Sequence, residues 1–323
     1  MAIQKQRLRL ALLAGGTSGE REVSLAGAAG VEQALDPARY VVRRYDPATD
    51  LARLAAEAAE IDVAFILLHG PMGEDGTVQG FLELLGIPYQ GSGVLGSALA
   101  MDKHLAKTLY RLHGLPVAPW MLVESGATMD AAAICRELRL PLVVKPASQG
   151  SSLGMSLVRR ESDLPVALAK ALALDSRVLV EEFVRGREIT VGVLGNAELI
   201  ALPLVEIIPG EQYEFFDYEA KYKQGASREL CPAPVPQSVV ERAQSYGVEA
   251  HRALRLRGYS RTDMILRDGG ELVLLETNTI PGMTPTSLLP QAARAHGLEF
   301  GALLDRLIEL ALAGRDHSIS PAS

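Results

Sequence analysis

The sequence contains few cysteines, few aromatic residues and no long apolar run. Its two cysteines, Cys135 and Cys231, lie far apart in the 323-residue chain and belong to no CxxC pair. This excludes a thiolate metal site and predicts a reduced, cytoplasmic protein. No window approaches 18 uninterrupted apolar residues, so we expect no membrane-spanning segment. Aromatic residues make up only 5% of the chain, so the core must consist mostly of Leu, Val, Ile and Ala.

An excess of basic residues is also absent. The chain has 39 acidic and 32 basic residues, which give a formal net charge of −7, and the basic residues form no visible stripe. A nucleic-acid partner is not expected, because it needs a net basic surface or a clustered basic patch. The P-loop pattern GxxxxGK[ST] and the kinase motifs HRD and DFG are missing as well, which excludes two large classes of nucleotide-binding protein.

The first hundred residues alternate short apolar strands with helices. We predict strands at residues 8–14, 40–45, 63–68 and 87–90, and helices at residues 23–35, 51–60 and 97–113. This alternation is typical of a parallel sheet covered by helices. The loops after the first and third strands, residues 15–22 and 69–77, then lie where open α/β sheets bind ligands.

After Pro116 and Pro119 the pattern changes to consecutive strands with few helices. We predict strands at residues 140–145, 155–159, 178–183, 188–194, 199–207, 262–266 and 272–276, and helices at residues 164–173, 239–254 and 301–313. Consecutive strands with few crossovers indicate an α+β, largely antiparallel region. At roughly 150 residues per domain, the length alone predicts about two domains.

Two glycine-rich motifs match known signatures without the structural context those signatures need. Residues 91–96 fit GxGxxG, but no acidic residue stands about 20 positions later, as a dinucleotide site requires. Residues 150–154 fit the hydrolase pattern GxSxG, but residues 155–158 alternate like a strand where a nucleophile elbow needs a helix. We interpret the first motif as a turn into a helix and the second as a loop between strands.

That second loop, at residues 146–154, predicts an anion-binding site. The backbone N–H groups of Gly150, Ser151 and Ser152 can approach a phosphate because no bulky side chain obstructs them. Lys145 ends the incoming strand, and Lys103 is a second candidate cation. Either lysine alone is typical of a solvated surface charge, but together with the loop they indicate phosphate binding.

A predicted hairpin carries opposed acidic residues. Asp263 lies in one strand, and Glu276 and Asn278 lie in and just beyond the next. A two-residue Gly-Gly turn at residues 269–270 would place Asp263 opposite Glu276, with side chains roughly 5 Å apart. Opposed carboxylates repel each other on an apolar hairpin, and oxygen ligands alone favour Mg²⁺ or Mn²⁺. The alternative is an exposed hairpin face with solvated acids.

Two further segments indicate a covered site. Residues 213–222 hold five of the sixteen aromatic residues of the chain beside Asp217, Glu219 and Lys221, which favours an ordered lid over a core segment. Residues 281–287 precede a predicted helix start at Leu288, whose backbone N–H groups suit a substrate carboxylate.

The same residues belong to a series of longer motifs. These are GGTSGEREVS (15–24), HG (69–70) with GEDG (73–76), GSG (91–93) with MDK (101–103), KP (145–146) with GSS (150–152), DYEAKY (217–222), and ETN (276–278) with PGMT (281–284). In content and order the motifs resemble those of the D-alanine–D-alanine ligase family, a group of ATP-grasp enzymes. The resemblance runs from about residue 8 to residue 313.

The resemblance implies an α/β and α+β chain with an ATP-grasp fold, in which two α+β lobes hold ATP and follow a Rossmann-like parallel-sheet domain. We therefore predict an N-terminal substrate-binding domain at residues 1–101, a central ATP-grasp lobe at 102–186 and a C-terminal lobe with the metal and substrate sites at 187–323. The implied reaction is phosphorylation of one D-alanine carboxylate by ATP. The amine of a second D-alanine then attacks the acyl phosphate, which gives D-alanyl-D-alanine for peptidoglycan synthesis.

The resemblance also implies roles for individual residues in handling D-alanine. Glu20 is expected to bind the ammonium group of the first D-alanine, with Ser151 and Tyr222 linked to Glu20. Arg261 and the backbone N–H of Gly282 are expected to stabilise the oxyanion. The remaining substrate-binding residues are His69, Ser287 and Leu288, of which the last two receive the second carboxylate.

A second set of residues is implied for nucleotide and metal. The phosphate-binding residues are Lys103, Lys145, Ser152 and Lys221. The adenosine pocket consists of Glu181, Phe183, Val184 and Glu188. Asp263, Glu276 and Asn278 hold Mg²⁺ or Mn²⁺, and K⁺ is an additional candidate cofactor. The family further implies that the partners are D-alanine, ATP and a second copy of the chain.

Two alternatives stay open. Ligation of D-alanine to D-lactate or D-serine is one, although Tyr222 favours the dipeptide because family members that make D-alanyl-D-lactate tend to carry Phe at this position. The other is a non-catalytic nucleotide-binding regulator. Its expected mark is loss of a lysine, of Arg261 or of a metal carboxylate, and the sequence retains all of them.

Overall fold

The computed structural model describes residues 7–126, 130–150, 153–210 and 227–313. Its N-terminal strands are β1 (Leu8–Leu13), β2 (Tyr40–Tyr45) and β3 (Val63–Ile66), and its helices are α1 (Arg21–Ala34), α2 (Leu51–Ala56), α3 (Thr77–Leu84) and α4 (Val94–Met101). The strands form a parallel sheet in the order β2–β1–β3, with β1 buried in the centre. The predicted parallel sheet is confirmed, but the strand predicted at residues 87–90 is only a bridge between Tyr89 and Ala64.

The prediction of one continuous helix at residues 97–113 is wrong, because Asp102 divides this segment into two helices. α4 ends at Met101, and α5 runs from Lys103 to Leu112. The Asp102 carboxylate accepts a hydrogen bond from Leu105 N–H at 3.0 Å, which caps the start of α5. Arg177 lies 2.7 Å from the other carboxylate oxygen. The break brings Lys103 to the loop at residues 146–154, where its backbone N–H donates to Ala147 O.

A four-stranded antiparallel sheet follows. Its strands are β4 (Trp120–Glu124), β5 (Leu142–Pro146), β6 (Ser156–Val158) and β7 (Arg177–Glu182), and its helices are α6 (Ala131–Glu137) and α7 (Leu164–Leu172). The spatial order is β4–β7–β5–β6. Sequence patterns missed β4 and α6 because each buries a single side chain, Val123 and Ile134 respectively, and so shows no apolar period.

The C-terminal half forms a larger antiparallel sheet. Its strands are β8 (Arg187–Gly195), β9 (Ile200–Ala201), β10 (Val205–Pro209), β11 (Ser227–Leu230), β12 (Gly258–Leu266) and β13 (Leu272–Asn278), and its helices are α8 (Gln237–Ala253), α9 (Leu288–Ala295) and α10 (Phe300–Ala313). The order is β11–β10–β8–β12–β13, with β9 beside β8. The predicted antiparallel region is confirmed, although the strand predicted at residues 199–207 is two strands. No helix in the described ranges is long and apolar enough to cross a membrane.

The hairpin of β12 and β13 pairs Asp263 with Glu276, as predicted, but through a different turn. Leu266 lies opposite Leu272, so the loop spans five residues, 267–271, rather than two. Regular pairing from this loop would place Leu275 opposite Asp263. A β-bulge beside Asp263 adds one residue to β13 and brings Glu276 into the pair.

Candidate active site

A cleft of about 890 Å³ lies between the four-stranded sheet and the β12–β13 hairpin. β5 and β7 supply one wall, and β12 and β13 supply the other. Among the residues that line it are six of the predicted nucleotide-binding residues and two predicted metal ligands: Lys103, Lys145, Glu181, Phe183, Val184, Glu188, Asp263 and Glu276. The fold therefore brings side chains from several separate motifs into one cavity.

One end of the cleft is apolar. Val184, Ile265 and Leu275 pack together there, and Phe183 lies half-buried beside them. The backbone N–H of Phe183 donates to Pro141 O at 2.9 Å, which fixes the chain at this point. A flat apolar ring fits between such walls, since ligand pockets are lined mainly by apolar side chains with a few placed polar groups.

Two lysines surround a buried glutamate in the same cleft. Lys145 Nζ lies 2.5 Å from Glu181 Oε1, and Lys107 Nζ lies 2.7 Å from Glu181 Oε2. Burial tends to raise the pKa of Glu181, but the two ammonium groups outweigh burial and hold it at about 2. Burial tends to lower the pKa of Lys145, but Glu181 and Glu276 raise it overall. Glu181 and Lys145 are therefore both charged at neutral pH.

Lys103 connects the 146–154 loop to the hairpin. Its Nζ donates to Gln149 O at 2.7 Å and lies 3.4 Å from Glu276 Oε2. The loop is also held from the other side, because Ser148 N–H donates to Asp175 Oδ2 at 2.7 Å. The predicted phosphate-binding loop thus lies against the acidic hairpin.

The hairpin presents oxygen atoms and one cation. Arg261 donates two hydrogen bonds to Asp263, from Nε to Oδ1 and from Nη2 to Oδ2, both at 2.8 Å. Burial tends to lower the pKa of Arg261, but Asp263 and Glu276 raise it above its usual range. Asn278 Oδ1 accepts a hydrogen bond from Ile280 N–H at 2.9 Å. Asp263 is therefore paired with a permanent cation rather than opposed to Glu276 alone.

The chemistry of these donors fits a hard divalent cation. Within the described ranges, no three His, Cys, Asp or Glu side chains converge on one point. The hairpin instead offers two carboxylates, Asp263 and Glu276, and the amide oxygen of Asn278. Mg²⁺ is usually bound by one or two carboxylates together with substrate phosphates, and Mn²⁺ accepts the same oxygen ligands.

A second cluster of buried polar groups lies where the parallel sheet meets the 146–154 loop. Glu20 directly precedes α1, and Glu74 Oε2 accepts a hydrogen bond from Gly70 N–H at 2.7 Å. A Cβ placed on Gly150 would lie 3.1 Å from Glu20 Oε2 and 3.8 Å from Glu74 Oε2. The two acidic side chains therefore flank the tip of the loop.

Burial changes the titration of two members of this cluster. Burial lowers the pKa of His69 and Arg261 lowers it further, while Glu20 opposes the change. Burial and the charge of Glu20 raise the pKa of Glu74 to about 8. At neutral pH these shifts leave His69 neutral and Glu74 protonated, so neither adds a charge to that of Glu20.

Residues 281–288 form a turn that leads into α9. Ser287 directly precedes the helix, and its Oγ accepts a hydrogen bond from Thr284 N–H at 3.1 Å. Leu288 is the first helical residue, and N–H groups of a first helical turn have no partner within the helix. A Cβ on Gly282 would lie 3.0 Å from Ser287 Oγ, so the Gly282 backbone lies against this turn.

Some predicted residues are outside the described ranges, and some described residues were missed. Ser151, Ser152, Lys221 and Tyr222, together with the predicted lid at residues 213–222, lie outside the described residues. Lys107 and Glu74 were given no role from the sequence. The spacing of Lys103 and Lys107 was an available signal, because residues four apart share one face of a helix.

Comparison with known proteins identifies the family. The model of the D-ala D-ala ligase N-terminus matches residues 43–92, and that of the D-ala D-ala ligase C-terminus matches residues 109–309. The chain belongs to the D-alanine–D-alanine ligase family. One relative, the D-alanine–D-alanine ligase of Desulfotalea psychrophila, is 60% identical over 308 residues, which cover 95% of this chain and 96% of the relative. That of Syntrophobacter fumaroxidans is 59% identical over 307 residues, which cover 95% and 98%.

Solved structures agree with this assignment. The D-alanine–D-alanine ligase of Bacillus anthracis complexed with ATP has a TM-score of 0.85 and 33% identity, covering 97% of this chain and 100% of that one. A D-Ala:D-Ser ligase of Enterococcus faecalis has a TM-score of 0.81 and 32% identity, covering 95% and 100%. The predicted family and ATP-grasp fold are confirmed, and the limits given to the three domains stay a prediction.

Proposed function

We propose that this chain uses ATP to join two molecules of D-alanine, and that its product, D-alanyl-D-alanine, is used in peptidoglycan synthesis. The observation that supports this most directly is the shared cleft. It combines an apolar end, the cations Lys103 and Lys145 and the acidic hairpin in one cavity. The cluster around Glu20 lies at the tip of the loop that borders this cavity.

The nucleotide occupies the cleft between the two antiparallel sheets. Adenine lies at the apolar end against Phe183 and Val184, with Glu181 and Glu188 as polar partners. Lys103 places its ammonium group beside the 146–154 loop, and Lys145 lies near the end of the strand that leads into this loop. Both lysines therefore neutralise phosphate oxygens. By their place in the motifs, Ser152 and Lys221 bind phosphate as well.

Asp263, Glu276 and Asn278 hold Mg²⁺ or Mn²⁺. When bound, the cation supplies neutralisation of phosphate charge and alignment of the transferred phosphoryl group. Arg261 holds Asp263 in place by two hydrogen bonds, so the position of this carboxylate is defined before any ligand binds. Lys103 does the same for Glu276 through a 3.4 Å ion pair.

The first D-alanine binds at the buried cluster. The Glu20 carboxylate accepts hydrogen bonds from the substrate ammonium group. The neutral His69 beside Glu20 donates or accepts a hydrogen bond without adding a charge. This arrangement leaves the D-alanine carboxylate free to face the phosphates across the loop tip at Gly150. By motif match, Ser151 and Tyr222 link to Glu20 and close the site.

The second D-alanine binds at the turn before α9. Its carboxylate is received by Ser287 and by the backbone N–H of Leu288, at the positive end of the helix dipole. Its neutral amine then attacks the carbonyl carbon of the acyl phosphate formed from the first D-alanine and ATP. The resulting tetrahedral intermediate expels inorganic phosphate and loses an amine proton to give the dipeptide. Arg261 and the Gly282 N–H stabilise the oxyanion of the tetrahedral intermediate, a contribution of about 2.7–4 kcal/mol per donor.

We also propose the setting of the reaction. The enzyme works in the cytoplasm, where ATP is supplied, and forms a homodimer like the family it belongs to. We further propose that a K⁺ ion binds beside the nucleotide as a second cofactor.

The test is phosphate release by the purified protein with MgATP. We expect release with D-alanine and little with L-alanine, as membership of the D-alanine–D-alanine ligase family implies. Absence of release with D-alanine, in a preparation that binds ATP, would refute the proposed function.

A second candidate function is ligation of D-alanine to another D-acceptor. The D-Ala:D-Ser ligase with a TM-score of 0.81 favours D-serine as the acceptor to compare, and D-lactate is the other. Both are supplied with D-alanine at neutral pH, and the products are separated by mass. We expect D-alanyl-D-alanine to predominate, and a predominant mixed product would replace the first candidate by the second.

A further inference from the structure

Lys107 is a buried cation that no step of the proposed reaction uses. It lies on α5, one turn after Lys103, and its side chain is fully buried. Its Nζ lies 2.7 Å from Glu181 Oε2, an ion pair whose angles are not those of a hydrogen bond. Within the described residues, Nζ has no hydrogen-bond partner. A buried ammonium group with one anionic neighbour needs a reason to be there.

The surroundings of Lys107 tie it to the nucleotide cleft. Trp120 lies directly opposite Glu181 in the pairing of β4 with β7, and its ring centre is 5.5 Å from Lys107 Nζ. Lys145 Nζ contacts the other oxygen of Glu181 at 2.5 Å. Glu181 is thus held between two cations that come from different elements, a helix and a strand.

The charges of this group show what Lys107 adds. One carboxylate and two ammonium groups leave a net charge of +1 within the cleft wall. Without Lys107, Glu181 would neutralise Lys145 alone, and the net charge would be zero. The attraction between the wall and a triphosphate would then weaken. Charges interact more strongly near a protein interior than in water, and all three side chains are at most 12% exposed.

We infer that Lys107 is a positioning residue for nucleotide binding, which acts through Glu181 and leaves the charge of Lys145 available to phosphate. This inference rests on the proposed function only in its assumption that the cleft binds ATP. Burial, together with the charge of Lys145, lowers the pKa of Lys107 overall, and the 2.7 Å contact with Glu181 opposes this change by favouring the ammonium form.

The decisive variant is Lys107→Met, which keeps the length of the side chain and removes its charge. We expect the Kd for MgATP, measured without D-alanine, to rise about tenfold or more. The KM for ATP should rise in parallel, while kcat at saturating ATP changes less than about threefold. A merely structural role would lower the amount of active enzyme and leave the Kd of the folded fraction unchanged.

Arg111→Met is the matched control. Arg111 lies on the same helix, and its guanidinium is 4.8 Å from the centre of the same Trp120 ring, but its side chain is exposed. The variant also removes one positive charge and one cation–π contact. We expect its affinity for MgATP to stay within about twofold of that of the parent protein.

A double-mutant cycle with Glu181→Gln tests whether Lys107 acts through Glu181. In the Glu181→Gln background no carboxylate neutralises Lys145, so Lys107→Met should raise the Kd for MgATP by clearly less than the tenfold expected in the parent background. This comparison also applies if Lys107→Met alone fails to fold, because the double variant leaves no unpaired buried carboxylate. A tenfold effect in both backgrounds, or an unchanged Kd in the single variant, would overturn the inference. A protein that binds MgATP but releases no phosphate with D-alanine would refute the proposed function and leave this comparison valid.

Discussion

Glu74 offers a sharp test of the electrostatics of the site. Its carboxyl group is buried beside Glu20, and its Oε2 accepts one hydrogen bond, from Gly70 N–H at 2.7 Å. Burial and the neighbouring charge raise its pKa from 4.5 to about 8. Glu74→Gln replaces the protonated carboxyl by a neutral group of the same shape that retains an oxygen for the Gly70 N–H.

The size of the effect follows from the raised pKa. Between pH 4.5 and about 8 the folded protein holds one proton more than the unfolded chain, so raising the pH lowers the free energy of unfolding. At about 1.4 kcal/mol per pH unit, the full cost above pH 8 is about 5 kcal/mol. From pH 6 to pH 8, the parent protein should lose about 2 kcal/mol relative to Glu74→Gln.

The assay is the midpoint of thermal unfolding, measured without nucleotide from pH 6 to pH 9. The difference of about 2 kcal/mol corresponds to a shift on the order of 4 °C. We expect the midpoint of Glu74→Gln to exceed that of the parent increasingly as the pH rises to 8, and the gap to level off above it. Other titrating groups contribute equally to both proteins and cancel in the comparison.

Glu137→Gln provides the matched control, because it removes one carboxylate from an exposed position on α6. Its midpoint should follow that of the parent protein at every pH. If Glu74→Gln also gives a curve parallel to the parent between pH 6 and pH 8, Glu74 is ionised in the folded protein and the reasoning is wrong. The same result would remove the argument that Glu20 alone carries the charge of the cluster.

The remaining predictions concern packing and substrate access. Gly247→Ala on α8 should destabilise the protein by about 1–3 kcal/mol, because the new Cβ would overlap Val191 Cγ1 on β8. Its control is Gly27→Ala on α1. There the new Cβ would meet no atom within 4 Å apart from the local helix backbone, and helix propensity favours alanine by about 0.5–1 kcal/mol. Thermal unfolding checks both. Gly150→Ala should raise the KM for D-alanine more than that for ATP, because its Cβ would lie 3.1 Å from Glu20 Oε2; equal changes in steady-state kinetics would contradict this.

Much of the fold could be predicted because local apolar patterns determine it. The buried strand β3 is uninterrupted in sequence, and the strands of the two antiparallel sheets were mostly found within a few residues of their observed limits. The break at Asp102 could not be found in this way, since residues on both sides continue the helical pattern. It depends on a cap to Leu105 and an ion pair with Arg177, which is distant in sequence.

Individual site residues could be predicted where the residue type and the surrounding motif indicate the chemistry of the side chain. Lys145, Asp263 and Glu276 were chosen on that basis, and the structure places all three in the cleft. Lys107 was missed because its burial depends on Glu181, which a different part of the chain supplies on β7. A lysine on an amphipathic helix is ordinarily a solvated charge, so only tertiary contacts distinguish it.

The pairing of Asp263 with Glu276 was predicted correctly for a reason that the structure does not support. With regular alternation along β13, Glu276 would share a face with Leu272 and Leu274, which pack in the core under α8. The bulge at Leu275 moves Glu276 to the opposite face, where it lines the cleft together with Leu275 itself. One extra residue therefore moves an acidic side chain that regular alternation would bury in the core to a position that lines the cleft. No apolar period shows this, because the signal is an interruption of the pattern.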